Sequence, residues 1–118
     1  MNSKMSLHCI YMEEINLPDI LTFDWDEGNS TKSWAKHKVS ADEQEQAFFT
    51  ERKIIIEDKK HSHQERRFLI YSKTNKGRRL IIAFTIRTVN KQQKIRPISA
   101  RPMNRKEAKL YEKTLKVA

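Results

Sequence analysis

The sequence predicts an α+β domain: two short N-terminal helices, an antiparallel sheet of about four strands, and a C-terminal helix. Three observations predict it. "SADE" (Ser40 to Glu43) is a capping box at the mouth of a helical segment. The β-branched runs "RKIIIED", "RRFLIYSK", "RRLIIAFTIR" and "KIRPISAR" include two neighbouring pairs joined only by "TNKG" and by a short stretch holding "NKQQ", which is hairpin spacing. Finally, "NRKEAKLYEKTLK" places Ala108, Tyr111 and Leu115 on one helical stripe, with Asn104 and Glu107 in cap-and-N3 relation. At 118 residues the chain suits one domain with a modest core.

Taken in order, residues 1–22 carry no clean period and read as an N-terminal extension or edge segment; the single domain spans 23–118. In "FDWDEGNSTKSWAKHKVSADEQEQAFF", the cluster Asp26, Asn29 and Ser30 offers N-caps for a first helix bearing Trp34 and His37. Val39 breaks the pattern, and Ser40 starts a second helix whose Phe48 and Phe49 are expected in the core. In the strands, Ile82, Phe84 and Ile86 point to one face and Ile81, Ala83 and Thr85 to the other. Apolar residues on both faces imply helices over one side and partial shielding of the other.

Charge is divided unevenly. Residues 1–58 hold six Lys/Arg against twelve Asp/Glu, whereas residues 59–118 hold eighteen against three. A one-sided basic field attracts polyanions, so nucleic acid is the first partner to consider, an acidic protein the second and a membrane surface the third. The longest good apolar run is "LIIAF", far short of a membrane span. A single cysteine, Cys9, makes no internal disulfide, and a cytoplasmic location is expected.

Several chemistries fit poorly. Asp58, His61, His63 and Glu65 in "DKKHSHQE" contain ligand types, but His-x-His in one loop falls short of the three or four convergent ligands zinc needs, so no metal is expected. His61 or Glu65 fits proton transfer better. Ser99 has no nucleophile elbow or partnered histidine, and two glycines cannot build a phosphate-cradling loop, so no cofactor is expected.

The stretches "FDWDEGNSTKSWAKHKVS", "IIEDKKHSHQER" and "IRPISARPMNRKEAKLYEK" resemble the BrnT family of type II toxins over residues 23–113. The motifs are F-x-W-D from Phe23, K-H-x-V-S at Lys36, His37, Val39 and Ser40, Asp58 and His61 followed by Glu65 and Arg66, Ile98 to Arg101, and E-x-x-x-Y at Glu107 and Tyr111. The resemblance implies a RelE-like fold, metal-independent cleavage of RNA through 2′-hydroxyl attack, and neutralisation by a cognate ribbon-helix-helix antitoxin, with operator DNA bound through the toxin–antitoxin complex and no membrane partner. Laid on these motifs, the chemistry makes His37, His61, Glu65, Arg96 and Arg101 the catalytic candidates. Lys36, Arg66, Arg87, Arg105 and Tyr111 are the candidates for holding RNA or its phosphates. Four positions depart from the family pattern: Asn29 for lysine, Ser33 for asparagine, and Lys38 and Tyr71 for glycines. The alternative is a non-catalytic module on the same scaffold that binds antitoxin or DNA, or inhibits a protein target such as a topoisomerase.

Overall fold

The computed structural model describes residues 9–11, 17–18 and 21–116. Most of the 1–22 segment that the sequence set apart therefore lies outside the described residues. The elements run β1 (Cys9–Tyr11), α1 (Lys32–His37), α2 (Ala41–Phe49), β2 (Lys53–Glu57), β3 (Phe68–Lys73), β4 (Arg79–Val89), β5 (Gln92–Pro102) and α3 (Arg105–Lys116), with a 3₁₀ turn at Lys59–His61. The α+β class, the four-stranded antiparallel sheet and the C-terminal helix follow the sequence reading. β1 adds a fifth strand, parallel to β2 at one edge, in the order β1-β2-β3-β4-β5.

Side-chain alternation divides the sheet into two faces. On the first, Ile55, Ile70, Leu80, Ile82, Phe84 and Ile95 pack under α2, with Val39, Ala47 and Phe48 above them. Phe48 stands edge-on to Phe84 at 4.9 Å between ring centres and to Phe23 at 5.5 Å. On the second face Ile54 meets Tyr111 and Leu115 of α3, flanked by Ile56, Tyr71 and Met103. Phe49 departs from expectation: one residue further round α2, it is 60% exposed, its ring edge-on to Phe23 at 6.1 Å between centres.

The helix ends show which signals carried. The Ser40–Glu43 capping box closes on both sides, and Glu43 also pairs with Arg78 at 3.0 Å. Asn104 and Glu107 exchange the reciprocal bonds expected at the start of α3. The predicted caps of α1 do not cap it; its N-cap is Thr31, with no side-chain bond. Asn29 is instead buried, donating to the carbonyls of Asp24 and Pro97 and accepting from the Asp26 amide. This side chain ties the approach to α1 onto β5.

β5 carries the irregularity that positions the site. Its register against β4 shifts between Ala83 and Phe84, which face Ser99 and Pro97, leaving Ile98 as an extra residue. Proline donates no amide to a ladder, so a break beside Pro97 costs little. The bulge inverts side-chain parity: Ile95 and Pro97 point into the first core before it, and Ala100 does so after it. Arg96, Ser99 and Arg101 consequently share the second face.

α1 ends at Lys38, whose backbone is left-handed at φ 56°, ψ 39°. That conformation costs a non-glycine residue about 1–2 kcal/mol. Arg78 donates to the carbonyls of His37 and Lys38 and holds the turn. Lys38→Gly is expected to stabilise the protein by about 1 kcal/mol, after subtracting glycine's extra unfolded-state entropy. A higher midpoint of chemical denaturation at unchanged slope would show it. A lower midpoint would mean that the Lys38 ammonium, 5.3 Å from the Trp34 ring centre, matters more than the backbone strain.

Candidate nucleic-acid interface

Between α1 and the second face of the sheet lies a cleft with a cavity volume of about 320 Å³. Alternation in the strands supplies its floor: Leu69 and Tyr71 from β3, Ile81 and Ala83 from β4, and Ser99 from β5. Lys32, Lys36 and His37 of α1 form one wall, while Arg67 and Arg101 come from the start of β3 and the end of β5. A largely apolar floor with cationic walls suits a ligand that has flat apolar parts and anionic groups.

The wall is held rigidly. The Ala100 amide donates to the buried Ser33 hydroxyl at 2.7 Å, and Asn29 donates to the Pro97 carbonyl at the same distance. Both bonds anchor α1 to β5 around the bulge. Two of the four family departures, Asn29 and Ser33, thus serve as the pins between helix and sheet.

Arg101 is the best-defined group in the cleft. It forms a two-pronged pair with Glu107, both bonds 2.8 Å, and stays 46% exposed. The guanidinium and the Asn104 amide hold the Glu107 carboxyl well below its usual value of 4.5, at about 2. In return Glu107 raises the Arg101 pKa, so the arginine is a permanent charge.

The structure brings Lys36, His37 and Arg101 of the sequence candidates to the cleft, and distributes the others elsewhere. Arg96, only 15% exposed, pairs with Asp24 at 3.4 Å and Asp26 at 3.0 Å, clamping the segment before α1 rather than lining the cleft. Arg66 pairs with Glu57 at 2.9 Å and lies over the Phe68 ring. Arg87 pairs with Glu65 at 3.1 Å on the surface, and neither lines the cleft. His61 bonds Asp58 at 2.9 Å in the loop between β2 and β3. Arg105 is exposed at the start of α3. Tyr111 is 1% exposed in the second core, where its hydroxyl donates to the Arg52 carbonyl at 2.6 Å and burial pushes its pKa to about 12. A ring packed in this way has no face to offer RNA.

Sequence reasoning missed Lys32 and Arg67 as cleft components, whereas Tyr71, which it singled out as a departure from glycine, stands on the floor. Strand parity was the available signal: Phe68 faces the first core, so Arg67, Leu69 and Tyr71 face the cleft and Arg66 does not. Arg67 Nε is buried without a hydrogen-bond partner, 3.6 Å from Asp58 Oδ2. Among the described residues no three His, Cys, Asp or Glu side chains group to hold a metal ion, and no helix is long and apolar enough to cross a membrane.

A family model described as ribonuclease toxin, BrnT, of type II toxin-antitoxin system matches residues 25–107, from the approach to α1 through the first turn of α3. No curated protein matches the chain.

The Glu107 pair carries a pH signature. A carboxyl whose folded pKa lies below its unfolded one contributes stability that is complete above the unfolded value and lost as pH falls through the folded value. Stability is thus expected to fall between about pH 4.5 and pH 2 partly through Glu107. Glu107→Gln should flatten that segment of the stability–pH curve, measured by denaturant titration at several pH values. An unchanged slope would show that the pair makes no net contribution.

Proposed function

From the premise that the chain belongs to the BrnT family of ribonuclease toxins of type II toxin-antitoxin systems, we propose that it is a metal-independent endoribonuclease which cleaves RNA in the cleft between α1 and the sheet. One observation carries the reading: Arg101, a permanent and half-exposed cation, opens onto an apolar floor opposite Lys32, Lys36 and His37.

Attack of a ribose 2′-hydroxyl on the adjacent phosphorus needs the strand held in line, a proton taken from the hydroxyl, another given to the leaving 5′-oxygen, and stabilisation of the added negative charge. Arg101 presents a planar fork that matches two phosphate oxygens, and the phosphate takes the place that Glu107 occupies in the unliganded protein. Lys36 and Lys32 add positive charge at the wall. His37 is the proton-transfer group, since histidine is the side chain suited to that task near neutral pH. Arg67 binds a neighbouring phosphate, the role that sequence reasoning gave to Arg66.

Membership of a type II toxin family implies an antitoxin partner as well as an RNA substrate. The finer reading is a RelE-like scaffold in the cytoplasm, neutralised by a ribbon-helix-helix antitoxin and binding operator DNA only through that complex. Helices ahead of an antiparallel meander, with α2 and α3 on opposite faces, support the scaffold assignment.

The test is cleavage of single-stranded RNA by purified protein at low salt with a chelator present. Wild type should cleave. Arg101→Ala should slow cleavage at least about 100-fold while still unfolding cooperatively, at a midpoint lowered only by the loss of the Glu107 pair, and His37→Gln should slow it about 100-fold or more. A folded wild type that binds RNA in a steeply salt-dependent way but leaves it intact would replace the enzyme with the non-catalytic module.

A further inference from the structure

The floor of the cleft contains a single aromatic group, and its surroundings differ from those of the other rings on the sheet. Phe68 and Phe84 belong to the first core, and Tyr111 is sealed in the second. Tyr71 is half-buried, packing against the Ile54–Tyr111–Leu115 cluster while also lining the cleft. The ring is therefore braced from behind, and little side-chain freedom remains to be lost when a planar ligand lies against it.

Register places this ring relative to the phosphate site. Tyr71 pairs with Ile81, and Ile81 pairs with Arg101, so the three stand in one row across adjacent strands on one face. Two strand spacings separate the backbones of Tyr71 and Arg101, about 10 Å. Both side chains line the cleft, and Ile81 lines its floor between them. An anion held at one end of the row and a flat apolar group at the other describes one nucleotide: phosphate on Arg101, base on Tyr71.

We propose that Tyr71 is the base-stacking and specificity-determining residue of the cleft, receiving the base of the nucleotide whose phosphate Arg101 holds and favouring purines there. This rests on the cleft being the RNA site. Stacking on an aromatic ring tolerates any base but strengthens with base area, which gives a preference without hydrogen-bond readout. The phenol hydroxyl is not required, because the ring face provides the contact.

The experiment measures binding of 2′-O-methyl tetranucleotides of adenosine and of uridine, which cannot be cleaved, by fluorescence anisotropy at fixed low salt. Wild type is expected to bind the adenosine tetramer several-fold more tightly. Tyr71→Leu should weaken adenosine binding about 5- to 100-fold and narrow the ratio between the two ligands. Tyr71→Phe should keep both affinity and ratio, and circular dichroism with unfolding midpoints checks that each variant is folded. An unchanged adenosine-to-uridine ratio in folded Tyr71→Leu would overturn the proposal, as would its loss in Tyr71→Phe. If Tyr71→Leu proves unfolded, Tyr71→Trp decides: an equal or larger ratio supports stacking, and a lost ratio overturns it. These readouts do not depend on turnover, so failed cleavage counts against the enzyme reading alone. Failure of both tetramers to bind removes the RNA cleft itself.

Discussion

The outer edge of β5 is the constraint on which the rest of this fold depends. One side of the strand pairs with β4; the other would leave amides and carbonyls without partners. Residues 22–33 satisfy several of them. The Ile95 amide donates to the Thr22 carbonyl and the Ile95 carbonyl accepts from the Asp24 amide, as Phe23 forms a parallel bridge to Ile95. Beyond the bulge the bonding changes from backbone to side chain, with Asn29 on the Pro97 carbonyl and Ser33 on the Ala100 amide. The same bonds that close the edge set the height of α1 above the sheet, and so the width of the cleft.

Charge asymmetry between the two halves has a second meaning in the folded chain. Arg96 with Asp24 and Asp26, Arg78 with Glu43, Arg66 with Glu57 and Arg67 with Asp58 all join the acidic first half to the basic second half. Part of the apparent polyanion field is thus consumed in holding the molecule together. Exposed pairs contribute little each; their effect here is directional, since each fixes a loop or helix end against a strand.

Local signals were legible in the sequence and non-local ones were not. Both capping boxes and the meander could be read, because a cap or a hairpin is decided within a few residues. Phe48 and Phe49, and Arg66 and Arg67, look equivalent in a composition of basic and aromatic residues, yet one residue of rotation or parity sends each partner to a different environment. Arg96 and Arg101 stand an odd number of positions apart, so plain alternation would set them on opposite faces. A bulge at Ile98 brings them to one, and no pattern in "RPISAR" announces on which strand position the extra residue will fall. Lys38 was read as a departure from glycine; the left-handed turn shows the physical demand that glycine ordinarily meets and the Arg78 contacts that sustain a lysine in its place.

Glu107 belongs to two structures at once. One oxygen accepts the Asn104 amide that starts α3, and both hold the Arg101 fork at the end of β5. A ligand that draws the guanidinium away leaves the helix its cap but removes the cation that balances it. If the proposed phosphate takes Arg101 from Glu107, the first turn of α3 reports occupancy. Amide hydrogen exchange around Ala108 and Lys109 would register a filled or empty cleft some distance from it, through a carboxylate that never touches the ligand.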